Sequence, residues 1–298
     1  QDTVKVDIAH NGPLLDNSGT GMDSCKTFNI SSASAIVAAA QGVPMARHGA
    51  RAITSTCGTV DMAEALGVDV ECNASQVAKS ISEANIGLFN GMSPAIHPRA
   101  LGRILSQIHF GTTLNIAASL ANPAMPNHGV RGVNAPEMIL PVARVMRAIG
   151  YRRALVIHGE VAGTDMGMDE ASVCGITRGA ELTADGTILP FTIDPSRLGM
   201  PIHAPVELNP EPDRLTEARR FVALIRGLEN GNSPRRQAIL LNTALIFKVS
   251  GKTETIDAGM EMAASAIDSG RAYATLEKWV VSQNRTPAEG LARLRTLS

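Results

Sequence analysis

Residues 16–35 read DNSGTGMDSCKTFNISSASA, setting Gly19, Thr20 and Gly21 just ahead of Asp23, with Asn29, Ser31 and Ser32 opening an alanine-rich run. A glycine-rich turn that leaves a strand and enters a helix offers backbone N–H groups and the positive helix end to an anion. Hydroxyls and amides at such a start also cap the helix, so Asn29 or Ser31 taken alone serves either role. Gly-x-Gly by itself is weak, but with Asp23 and the Asn-Ile-Ser-Ser start it points to a crowded, anionic ligand. A second group is Asp169 and Glu170, side by side in GMDEAS (167–172) after an apolar run at 154–158. Adjacent acids on a surface loop are usually only solvated. Here the glycine and methionine context, and the position at the carboxyl end of an expected strand, favour a role in the site.

The elements that must hold these groups follow from the hydrophobic pattern. VKVDIA (4–9) reads as a strand, NISSASAIVAAAQG (29–42) as a helix ended by Gly42, and VPMAR (43–47) as a short buried strand. GTVDMAEALG (58–67) is a further helix. Residues 131–159 run strand, helix, strand, with Pro136 just inside the helix start and Gly150 just past its end. This alternation predicts an α/β fold, a mostly parallel central sheet flanked by helices. Residues 213–296 carry a nearly continuous helical pattern broken at Gly231, Gly251 and Gly270, and the proline-rich NPEPDR (209–214) is the expected surface connection before it.

With 298 residues the chain can bury a large core, as one α/β domain or two smaller ones. Aromatic residues make up 3%, so the core must be aliphatic, and stacking platforms for single-stranded nucleic acid are scarce. The net charge of −1 and the lack of a basic run also argue against nucleic acid. Cys25, Cys57, Cys72 and Cys174 show no zinc or disulfide spacing, which fits free thiols in a reducing cytoplasm. The most apolar run, 33–40, is too short to span a bilayer. The chain begins at Gln1, from which a preceding piece is expected to have been removed.

Four segments, in order, carry a resemblance. GTGMD...TFNISSASA is similar to the phosphoribosyl-pyrophosphate loop of the anthranilate phosphoribosyltransferase family, whose pattern is roughly GTGGD...TFNIST. ARHGARAITSTCGTVDMAEALG (46–67), LANPAMPNHGVRGVNAPEMI (120–139) and GMDEAS resemble the family's next three motifs, and 242–280 reads like its C-terminal helices. The resemblance implies transfer of 5-phosphoribose from phosphoribosyl pyrophosphate to an aromatic amine or nitrogen heterocycle, within tryptophan biosynthesis in its usual setting, and a homodimer. It implies Mg2+ on Asp169 and Glu170, with Ser31 as a further ligand. Gly19, Thr20, Gly21, Asp23, Asn29, Ser31, Ser32, Arg47 and Thr59 would line the donor site. His48, Gly49, Ala50 and Arg103 would face the acceptor, with Arg99 competing for the last role. Residues 1–84 and 112–298 would form the donor-binding domain, and 85–111 part of a small helical subdomain whose remaining helices would precede Gln1.

The sequence also departs from the family. Met22 stands where GTGGD has its second central glycine, Arg47 where the family has lysine, and Ala50 where an acceptor-contacting asparagine belongs. GEVAGTDMGM (159–168) lengthens the approach to the acids into an expected loop over the metal site, and 90–111 matches poorly. Two other readings stay open at this stage: a nucleoside-phosphorylase-like enzyme, and a non-catalytic relative turned to binding, nucleic acid among its ligands.

Overall fold

The computed structural model describes residues 4–6, 8, 12–52, 57–98 and 112–298, with backbone alone for 113–115. In chain order the elements are β1 (Leu15–Ser18), α1 (Ile30–Ala40), β2 (Met45–Gly49), α2 (Thr59–Ala65), α3 (Ala74–Ala84), β3 (Ile86–Asn90), α4 (Thr113–Ser119) and β4 (His128–Gly132). There follow α5 (Ile139–Ala148), β5 (Arg153–Glu160), β6 (Gly167–Met168), β7 (Thr177–Leu182), β8 (Ile188–Ile193), α6 (Arg214–Ile225), α7 (Pro234–Ser250), α8 (Ile256–Asp268), α9 (Arg271–Ser282) and α10 (Pro287–Arg295). The strands form one sheet in the order β3-β2-β1-β4-β5-β7-β8, with β6 pairing to β5.

From β3 across to β5 every pairing is parallel. Chain order runs outward from β1 through β2 to β3 on one side, and through β4 to β5 on the other. Such a reversal opens a crevice at the carboxyl ends of β1 and β4, the place where open α/β sheets take ligands. Beneath it, Arg131 of β4 reaches Asp16 of β1 at 3.0 Å and also donates to the Ser18 hydroxyl. Both charged groups are buried, and together they tie the two strand ends.

The expected α/β class is borne out, and the reasons are local. Strand β3 is buried along its whole length, hence its apolar run IGLF (86–89), and β2 is almost as buried although it carries Arg47 and His48. Alanine-rich α1 uses its small side chains to lie close against α7 and α9. Helix α7 is capped by Ser233 with Pro234 in its first turn, ends at Gly251 (φ 77°), and is buried on nearly all sides, with its polar side chains Arg235, Asn242 and Thr243 hydrogen-bonded inside. No helix among the described residues is long and apolar enough to cross a membrane. All four cysteines are free and buried.

Two expectations need correction, and one feature goes beyond them. Val4, Lys5 and Val6 are not in a strand: Val4 and Val6 donate singly to the carbonyls of Ile96 and Pro123, without a neighbouring strand to complete a ladder. The strand that feeds the glycine loop is β1 instead. Residues 86–90, expected in the helical subdomain, form β3 of the main sheet, paired in register with β2 from Met45↔Ile86 to Gly49↔Asn90. The antiparallel hairpin β7–β8, joined through Gly186 (φ 86°), adds two strands that the sequence pattern does not reveal.

Candidate active site

The crevice is a cavity of about 680 Å³ whose wall includes Gly19, Thr20, Gly21, Asp23, Asn29, Ser31, His48, Gly49, Ala50, Thr59, Asp169 and Glu170. Twelve residues singled out from sequence thus converge from five separate segments. Asp169 is the centre of the arrangement. Its Oδ2 accepts from the Gly21 N–H at 2.7 Å and from the Thr20 hydroxyl at 3.2 Å. A Cβ on Gly19 would lie 2.2 Å from the Asp169 carboxyl carbon, and one on Gly132 would lie 1.5 Å from its carbonyl oxygen. Both glycines are therefore needed for Asp169 to enter between β1 and β4. Gly21 has φ 68°, the left-handed turn that glycine permits. Met22 has no such backbone demand and lies half-buried on the cavity wall, so its side chain is accommodated without distorting the turn.

The extra residues at 159–168, expected as a longer loop over the metal site, instead form a short hairpin. β5 turns through Gly163 and returns as β6, pairing Gly159↔Met168 and Glu160↔Gly167. Gly167 then exchanges hydrogen bonds with Ser24 and accepts from the Cys25 N–H at 2.9 Å. The hairpin delivers Asp169 directly to the glycine loop.

Asp23, Asp169 and Glu170 each offer an oxygen within 4.8 Å of the others. Burial, and then the charge of Asp169, push the Asp23 carboxyl up to about 6. The same causes hold Glu170 well above the usual carboxylate range, and its Oε2 is buried without a hydrogen-bond partner. Three crowded acids, with the proton affinity of Asp23 and Glu170 raised, are the electrostatic signature of a place for positive charge. Because protons and a cation compete for these oxygens, cation affinity must fall as pH drops through about 6.

Two expected donor residues sit differently from their sequence-based roles. Arg47 is 1% exposed and donates to Ser32 Oγ at 2.8 Å, Ser31 Oγ at 3.1 Å and the Asn17 carbonyl at 3.2 Å. Burial lowers it to about 10, so it stays charged at neutral pH. It braces the start of α1 from within and does not face the cavity, and Ser32 lies behind the wall with it. Ser31 lines the cavity with its hydroxyl engaged by Arg47. Arg103 and Arg99 lie outside the described residues. Among the described residues, the cations on the wall are Lys26, paired to Asp23 at 3.2 Å, and Arg51, held by Asp61, Glu64 and Glu71.

On the other side, at the ends of β2 and β3, His48 Nε2 lies 2.8 Å from His97 Nε2, with the rings edge to face. Burial and the neighbouring imidazole lower His48 to about 3, and burial lowers His97 as well. The pair is neutral through the physiological range. Loop residues 50–52 are fixed here by Asp61, which accepts from the N–H groups of Ala52 (2.8 Å) and Gly58 (3.1 Å). Sequence reasoning missed Lys26, His97 and Met92. Lys26 was within reach, since it stands three positions after Asp23 in the glycine loop, whereas His97 and Met92 lie in the segment that matched poorly.

Residues 11–273 match the family described as "Glycosyl transferase family, a/b domain". Anthranilate phosphoribosyltransferase of Caulobacter vibrioides is 37% identical over 279 residues, covering 94% of this chain and 79% of the relative. That of Geobacter sulfurreducens is 38% identical, covering 91% and 75%. The chain belongs to the anthranilate phosphoribosyltransferase family. It is an enzyme of that type, and its fold agrees. The Thermus thermophilus anthranilate phosphoribosyltransferase superposes with a TM-score of 0.83 at 32% identity, covering 94% of this chain and 80% of that one. The Saccharomyces cerevisiae enzyme in complex with PRPP and Mg gives 0.83 at 27% identity, covering 94% and 76%. The residues present in this chain fit Mg2+, which prefers hard oxygen ligands: three carboxylates converge, and one Glu170 oxygen has no other partner.

Proposed function

We propose that this enzyme transfers the 5-phosphoribosyl group of phosphoribosyl pyrophosphate to the nitrogen of an aromatic amine or nitrogen heterocycle, releasing pyrophosphate. The observation that carries it is the meeting of the Gly19–Thr20–Gly21 turn with Asp23, Asp169 and Glu170 at the switch point of the sheet. In the transfer a bond forms between the acceptor nitrogen and the anomeric carbon, while the carbon–oxygen bond to pyrophosphate breaks and leaves its electron pair on oxygen. Negative charge grows on the leaving group, so fixed N–H and hydroxyl donors aimed there lower the barrier. Asp23, Asp169 and Glu170 would hold Mg2+, which would supply charge neutralisation at the phosphates. Asn29 spans from the helix start to the Cys57 carbonyl at 3.1 Å, keeping the loop after β2 against the donor side.

The acceptor faces the ends of β2 and β3. His48, lowered to about 3, is too weak a base to take a proton effectively at neutral pH, so it serves with its neighbour His97 to hydrogen-bond and orient the acceptor. Ala50 offers no polar side chain, and Met92, Ala118 and Ala121 add apolar surface. Among the described residues at these strand ends the cation, Arg51, is already held by Asp61, Glu64 and Glu71, which favours an uncharged ring over one carrying a carboxylate, because a buried carboxylate without a partner is costly. Turnover measured across anthranilate, other aromatic amines and benzimidazole-like heterocycles tests this. We expect anthranilate to trail the uncharged acceptors by about tenfold or more, the worth of one lost polar contact. Anthranilate emerging as the best acceptor would refute the reading of this half of the cavity.

A further inference from the structure

We propose that in the ligand-free protein the enzyme's own carboxylates occupy the anion-binding groups of the β1–α1 loop, and that Lys26 is a donor-phosphate ligand exposed when those carboxylates turn to the cation. The proposal rests on the assignment of this cavity to phosphoribosyl transfer. The Gly21 N–H and the Thr20 hydroxyl, the loop's donors for a phosphate oxygen, both point at Asp169 Oδ2, at 2.7 and 3.2 Å. The Lys26 ammonium points at Asp23 Oδ1, at 3.2 Å. Asp169 and Asp23 are two of the three acids that converge within 4.8 Å. The same two carboxylates thus serve two alternative sets of partners: loop donors on one side, a shared cation on the other.

Among the described residues, the other cations near the cavity narrow the choice to Lys26. Arg47, which the family pattern assigns to phosphate, is committed inside to Ser31, Ser32 and Asn17. Arg51 is held by Asp61, Glu64 and Glu71, none of which belongs to the acid cluster. Lys26 is paired to an acid that a cation would claim, and its four-carbon stem, with a side chain 36% exposed, leaves it room to turn to a phosphate. Asp23 and Asp169, drawn to a shared cation, release Lys26 Nζ, Gly21 N–H and Thr20 Oγ1 together. Without that cation, an incoming pyrophosphate must displace two carboxylates and approach three acids. Cation and anion binding are therefore strongly and reciprocally coupled.

Calorimetric titration with inorganic pyrophosphate, with and without Mg2+, separates the possibilities in wild type, Lys26→Met, Lys26→Arg and Asp169→Asn. Lys26→Met should weaken binding in Mg2+ by about tenfold or more, and Lys26→Arg should recover most of it, since a charge-assisted contact is lost and then restored. Asp169→Asn should bind pyrophosphate more tightly than wild type when Mg2+ is absent, and gain less when it is added. Lys26→Met matching wild type, or Asp169→Asn leaving metal-free affinity unchanged, would overturn the exchange. If wild type binds pyrophosphate in Mg2+ and the variants behave like it, the exchange falls while the transferase assignment stands. A wild type that ignores pyrophosphate in Mg2+ would remove both.

Discussion

Asp169→Asn combined with Glu170→Gln leaves a folded protein whose Mg2+-dependent turnover falls by about a hundredfold or more, the usual cost of removing a group that stabilises a developing anion. The fold survives because the acids do not hold it together. Asp23, Asp169 and Glu170 crowd within 4.8 Å, burial and mutual repulsion raise the proton affinity of Asp23 and Glu170, and neutralising two of the three relieves that repulsion. The Asp169→Asn side chain also keeps an oxygen that can accept from the Gly21 N–H. Thermal melting together with rates over a range of Mg2+ concentration checks both halves. An unchanged rate in the double variant would make Asp169 and Glu170 ordinary acids and leave the cavity without a cation site.

Gly132→Ala has the largest structural effect we expect from adding a single methyl group. Gly132 ends β4 opposite Ile157, and a Cβ there would meet the Asp169 carbonyl oxygen at 1.5 Å and its carbonyl carbon at 2.4 Å. These are backbone atoms, and they cannot turn aside as a side chain can. The chain at 168–170 must retreat, which takes the Asp169 carboxylate away from Gly21 and Thr20. Overpacking of this kind costs about 1–3 kcal/mol of stability. A misplacement of about 1 Å at a reacting centre costs about a hundredfold in rate. Gly231→Ala is the control, since a Cβ there meets nothing within 4 Å. Equal melting temperature and equal activity for Gly132→Ala and Gly231→Ala would show that the 169 segment is not wedged between β1 and β4.

Much of this architecture is legible in the sequence. The glycine turn, the Asn-Ile-Ser-Ser helix start and the paired acids are local features, and helix ends and turns are set by neighbours in the chain. The alternation of apolar runs therefore finds α1, β2, α2, β4, α5 and β5 near their true places. What stays hidden is long-range. Nothing in Gly19 or Gly132 alone reveals that they clear space for the carboxylate and the backbone of Asp169, supplied from beyond residue 160. Arg47 reads as a phosphate ligand by position, yet burial and three oxygen acceptors draw it inward. The inserted residues 159–168 look like a loop because their pairing partner is the strand that precedes them. Strand β3 is absorbed into a helical segment because the residues after it depart from the family pattern, although its own apolar run IGLF fits a buried strand.

We propose that this cavity binds a pyrophosphorylated ribose through carboxylates that would hold a cation. Calorimetry of phosphoribosyl pyrophosphate against the wild-type protein, with Mg2+ and then with chelator, tests this most directly. The expected result is saturable binding in Mg2+ that weakens by about tenfold or more on chelation, because the three acids then face the phosphates without a neutralising charge. No binding at millimolar donor with Mg2+ present, or equal affinity with and without it, would contradict that assignment.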